Sequence, residues 1–189
     1  LNIENKNFYV VGGSGLVEQI QDIGWNVLSL DEFKNNWQNV STVIVGWDKH
    51  FTFDKMKYAT LAIRNGAKFI GTNPDNTYPS KEGIIPGAGA IISSIQTPSE
   101  VTPTIIGKPN SWMFKEMGLS KNEKTVIIGD RLDTDIKFGK NVGISTALVL
   151  SGISTDKDLK NIDDENKPDY VFNNAKEIYD KIRSDEFKF

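Results

Sequence analysis

Short apolar runs rich in β-formers alternate with helical patterns along the chain, and this alternation constrains the fold more than any other feature. In the first half the runs are "NFYVVG" (7–12), "NVLSL" (26–30), "VSTVIVG" (40–46) and "AKFIGT" (67–72), with helical patterns over 16–24 and 54–66. Strands that alternate with helices in this way are expected to lie parallel, joined by crossover helices. In the helix 54–66, Met56, Ala59, Leu61, Ala62 and Ile63 share an apolar side, Asp54 stands in the first turn and Gly66 ends the helix. The expected fold class is α/β.

The stretch "TNPDNTYPSKEGIIPG" (72–87), rich in Asn, Pro, Gly and Ser, interrupts the pattern and reads as a domain boundary or a functional loop. A second set of alternations follows: helix 87–95, strand 102–107, helix 111–118, strand 124–129, helix 133–143, strands 145–152 and 169–173, and helix 175–185. The segment 156–169 reads as a charged, solvated connection. A chain of 189 residues has room for two small domains with real cores. Two α/β units joined by a loop are expected.

Composition narrows the function. A formal charge of −3 offers no basic face for polyanions, so neither nucleic acid nor a membrane surface is expected as a partner. The absence of cysteine excludes a disulfide framework, a thiolate zinc site and a thiol nucleophile. The single histidine, His50, excludes an internal multi-histidine metal site and argues against a Ser-His-Asp triad. No apolar run approaches the roughly 18 residues of a bilayer span, and no signal-peptide pattern opens the chain. A cytoplasmic location is the default expectation.

The densest charge falls in "GDRLDTD" (129–135), directly after the apolar run "KTVIIG". Open parallel sheets bind ligands beyond the carboxyl ends of their strands. Asp130 is expected to point there, with Asp135 in the first turn of the next helix facing the same place. Two carboxylates suit magnesium, which fills its other octahedral positions with water and substrate phosphate. The plainer reading is that Asp130 and Asp133 cap a helix. A second strand end, "TIIGKPN" (104–110), carries Lys108. A lysine beside such carboxylates can neutralise phosphoryl oxygens in a transition state, although a surface lysine is its commoner fate.

Together these segments resemble the haloacid-dehalogenase superfamily of magnesium-dependent phosphatases. "GKPN" resembles its lysine motif and "GDRLDTD" its acidic motif. "FIGTNPD" (69–75), "PGAG" (86–89) and "LVLSG" (148–152) resemble the nitrophenylphosphatase and phosphoglycolate-phosphatase branch, which has a large α/β cap. The resemblance implies a Rossmann-like core with a cap: residues 1–85 as the cap and 86–189 as the C-terminal half of the core. It implies Mg2+ as cofactor, a small phosphorylated substrate, an aspartyl-phosphate intermediate and a homodimer formed through the cap. Asp130 is then the metal ligand, Lys108 and Asp135 the catalytic residues, and Asn73, Asp75, Lys108 and Arg131 the substrate-binding residues.

The chain departs from the family at one point. An Asp-x-Asp-Gly nucleophile motif does not occur; the pairs Asp133/Asp135 and Asp156/Asp158 neither follow a strand nor precede a glycine. The nucleophilic half is therefore expected upstream of Leu1, in keeping with a start that is not methionine, and the 189 residues alone are expected to be inactive. A truncated relative that binds a phosphorylated ligand without turnover is the alternative. "YVVGGSGLVEQI" (9–20) imitates a dinucleotide fingerprint, but Glu18 occupies its third glycine position, so a tight turn is the better reading. Asn73 and Asp75 can contact substrate or build Asx-turns. His50 reads as a loop residue, and Arg131 can reach substrate or pair with a nearby carboxylate.

Overall fold

A computed structural model describes residues 7–118, 125–184 and 186–187. The chain divides into two units, Leu1–Ile106 and Gly107–Phe189. In the first, β1 (Asn7–Val11), α1 (Ser14–Asp22), β2 (Asn26–Val27), α2 (Leu30–Asn36), β3 (Thr42–Val45), α3 (Phe53–Arg64) and β4 (Lys68–Gly71) follow one another. A hairpin of β5 (Thr77–Ser80) and β6 (Gly83–Pro86), then α4 (Ala88–Ser99) and β7 (Thr104–Ile105), complete it.

Five strands form a wholly parallel sheet in the order β2-β1-β3-β4-β7. Alternate side chains of each strand enter two different apolar clusters, as the two-residue period of a strand requires. Phe8 and Val10 of β1 join Ile44, Ile70 and Ile20 of α1 on one face. Tyr9 and Val11 join Val43, Val45, Phe69 and the apolar sides of α2, α3 and α4 on the other. The helices thus cover both faces of the sheet. Of the apolar side of α3, Ala59, Ala62 and Ile63 are buried.

Three expectations differ from this unit. The run 26–30 yields only a two-residue strand, because Ser29 caps α2: its hydroxyl accepts from the Glu32 N–H while the Glu32 carboxylate accepts from the Ser29 N–H. The stretch 72–87 contains the hairpin, whose two strands pair only with each other. Each is therefore an edge that tolerates Pro79 and Pro86. The unit also runs to Ile106, beyond the 85/86 boundary expected from the resemblance. Ile91, Ile92 and Ile95 of α4 belong to the larger cluster, and β7 pairs with β4.

The second unit contains α5 (Trp112–Glu116), β8 (Val126–Gly129), a π-helical turn (Leu132–Ile136), α6 (Lys137–Val142), β9 (Ser145–Val149), α7 (Asp156–Lys160), β10 (Tyr170–Phe172) and α8 (Ala175–Arg183). Its sheet is parallel in the order β10-β9-β8. Phe114, Phe138 and Val142 pack with Ile127 in one cluster; Ala147, Val149, Phe172 and Ile178 form another. The connection expected over 156–169 contains α7, started by a reciprocal Thr155–Asp158 capping box. Lys124 and Asp185, the first residue of one expected strand and the last of one expected helix, lie outside the described residues.

Candidate functional site

Residues 129–135 leave the carboxyl end of β8 and enter the π-helical turn, where the N–H groups of both Asp135 and Ile136 donate to the Arg131 carbonyl at 3.1 Å. This wide turn carries Asp135 back against Gly129, where a methyl group would overlap the Asp135 carboxyl. Asp135 is buried, at 5% exposure. Its Oδ1 accepts from Lys108 Nζ at 2.6 Å and its Oδ2 from the Arg131 N–H at 3.2 Å. Both carboxylate oxygens of Asp135 are therefore engaged, and the Lys108 ammonium is held by one of them.

Asp130 is bound differently. Its Oδ2 accepts from the Ile153 N–H at 2.9 Å and its carbonyl from the Ser154 N–H at 2.9 Å. Among the described residues nothing donates to Oδ1. Gly152 lies so close that a methyl there would overlap the Asp130 carboxyl. Arg131 points its guanidinium at Asp133, with Nε to Oδ1 at 3.0 Å and Nη2 to Oδ2 at 2.8 Å. The Arg131 hydrogen bonds hold the Asp133 carboxyl below its ordinary value; burial opposes the shift and the arginine charge adds to it.

Lys108, Asp130, Arg131 and Asp135 thus gather at one strand end of the second unit. Asn73 and Asp75 belong to the first unit, where the Asn73 amide donates to Asp75 Oδ2 at 2.6 Å and accepts from the Thr72 hydroxyl at 3.1 Å. Their loop packs against "PGAG": side chains at Gly87 and Gly89 would overlap the carbonyls of Asp75 and Pro74. His50 is exposed, and its N–H donates to Asp48 Oδ1 at 2.8 Å. At the glycine-rich turn before α1, a side chain on Gly12 would come within 2.8 Å of Leu16, a packing reason for that glycine. The segment "LVLSG" marks a family resemblance in the sequence, but its residues carry no assigned task there. The signal available was its position: a small-residue loop at the end of the strand adjoining β8.

The open donor at Asp130 is a carboxylate oxygen. No group of three or more His, Cys, Asp or Glu residues among the described residues could hold a metal by itself. An open carboxylate oxygen without such a cage fits magnesium, which binds through one or two carboxylates and keeps its remaining positions for water and phosphate. Among the described residues no helix is long and apolar enough to cross a membrane.

A family model described as HAD-hydrolase-like matches residues 105–178. The acid sugar phosphatase of Staphylococcus epidermidis is 40% identical over 172 residues, covering 89% of this chain and 62% of that protein. The chain spans about three-fifths of the length of the curated relatives it matches. Among solved structures, a hypothetical protein from Pyrococcus horikoshii OT3 is 45% identical with a TM-score of 0.87, over 96% of this chain and 69% of that one. The p-nitrophenyl phosphatase from Archaeoglobus fulgidus is 31% identical with a TM-score of 0.79, over 93% of this chain and 67% of that one.

Proposed function

Since the chain belongs to the haloacid-dehalogenase superfamily, in the branch of the nitrophenylphosphatases, we propose that it supplies the electrostatic machinery of a magnesium-dependent phosphatase. The substrates are small phosphate monoesters, and hydrolysis passes through an aspartyl-phosphate intermediate. The observation that carries this reading is the contrast between two neighbouring carboxylates. Asp135 has both oxygens occupied and holds Lys108, whereas Asp130 keeps one oxygen open.

Asp130 is the residue that would hold Mg2+, and the ion when bound would polarise phosphoryl oxygens as a Lewis acid. Asp135 fixes the Lys108 ammonium, and Lys108 neutralises phosphoryl charge. Arg131, Asn73 and Asp75 are assigned to substrate recognition; the 2.8–3.0 Å pairing of Arg131 with Asp133 means that it would act from a fixed position. A homodimer formed through the first unit and a cytoplasmic setting complete the reading. The 189 residues contain no Asp-x-Asp-Gly sequence, so by themselves they are expected to turn over no phosphate ester.

Manganese, a paramagnetic ion of similar ligand preference, tests the site. Titrated into the 189-residue chain and followed by the electron paramagnetic resonance of the free ion, Mn2+ should bind the wild type and not Asp130→Asn. Inorganic phosphate should tighten that binding in the wild type and not in Lys108→Ala. A wild-type chain that takes up no Mn2+ would overturn the metal reading.

A further inference from the structure

Resting on that reading, we propose that Gly152 and Ser154, in the loop after β9, are the positioning residues that decide which oxygen of Asp130 meets the cation. The loop engages the segment after β8 at three points. The Ile153 N–H donates to Asp130 Oδ2 at 2.9 Å, the Ser154 N–H donates to the Asp130 carbonyl at 2.9 Å, and the Leu132 N–H donates to Ser154 Oγ at 3.1 Å. Ser154 is buried, at 7% exposure. Its hydroxyl and its own N–H therefore brace the chain on both sides of Arg131.

Gly152 supplies the fourth restraint through its missing side chain. A methyl at that position would overlap Oδ2, Cγ and Cβ of Asp130, so the Asp130 side chain occupies the place where a side chain at 152 would stand. With Oδ2 tied to a backbone donor and the side chain filling the space beside a glycine, rotation about the Asp130 side chain is restricted and Oδ1 is left without a donor among the described residues. The outcome is a single-oxygen ligand in a set orientation. Partners behind a ligand act on metal affinity in this way, by fixing the orientation of a group that already has the charge to bind. A loop that only packed beside β8 would need neither a hydroxyl on the Leu132 N–H nor an N–H on one chosen carboxylate oxygen.

The test uses the 189-residue chain with Mn2+ as probe and compares wild type, Ser154→Ala, Gly152→Ala and Ile153→Ala. Circular dichroism and thermal melting establish which variants are folded. Ser154→Ala is expected to weaken Mn2+ binding by about tenfold, and Gly152→Ala by more, within the range of such outer partners. The bound-Mn2+ spectrum should change as well. Ile153→Ala should bind as wild type does, since its donor is the backbone. Folded Ser154→Ala with wild-type affinity and an unchanged bound spectrum would overturn the proposal, whether or not Gly152→Ala folds. Absence of Mn2+ binding by the wild type would instead bring down the metal reading, and this inference with it.

Discussion

Gly129 has no space for a side chain, because the Asp135 carboxyl occupies the place where a methyl would stand. Gly129→Ala is expected to cost about 1–3 kcal/mol, the usual range for overpacking, and to separate Asp135 from Lys108; urea denaturation measures the first effect. An unchanged midpoint would mean that the carboxyl can move aside. At Asp133 the consequence is a pH dependence. The Arg131 hydrogen bonds place its folded pKa below the ordinary 3.8. The stability it contributes is therefore complete above the unfolded value and disappears as pH falls through the folded one. Asp133→Asn should flatten the acid limb of a urea-midpoint profile below about pH 4. The effect is small, since the Asp133 side chain is 67% exposed.

Between elements, Asp169 joins β10 to β9 and α6. Its carboxylate accepts from Lys140 Nζ at 2.7 Å and from the Thr146 N–H and hydroxyl at 2.8 and 2.7 Å, while the Asp169 N–H donates back to the Thr146 hydroxyl at 2.9 Å. Burial works against the ionised form, but these hydrogen bonds outweigh it and hold the carboxyl below its ordinary value. Asp169→Asn should destabilise the chain by about 1 kcal/mol at neutral pH, discounted for a side chain 42% exposed. The deficit should shrink as pH falls through the folded pKa, a trend readable in denaturation midpoints. In the first unit the Ser29 cap of α2 carries a similar weight. Ser29→Ala should cost about 1 kcal/mol, measured in the same way.

On the scale of the whole chain, protection should be uneven. In the first sheet Phe8, Val11, Val43 and Val45 are fully buried, whereas Ile128 of β8, at the edge of the second sheet, is 46% exposed. Amide hydrogen exchange should therefore be slowest in β1 and β3 and faster in β8; equal rates would contradict this. The α/β class, the parallel strands and the charge gathered at 108 and 130–135 are legible in the sequence by itself. Apolar period, glycine placement and charge type are local properties that each residue carries with it. Ser29 with Glu32 and Thr155 with Asp158 have the capping spacing of α2 and α7, a local signal that the reading of 26–30 as a β run and of 156–169 as a connection passes over. Only the tertiary structure decided that α4 and β7 pack with the first unit, that the 72–87 stretch pairs as a hairpin, and that a wide turn replaces the start of the helix expected over 133–143. It also decided which oxygen of Asp130 stays open. These outcomes depend on partners distant along the chain, such as Ile153 for Asp130 and Lys108 for Asp135, and a hydrogen bond between residues far apart in sequence is set by how the chain folds back on itself, which no local pattern encodes.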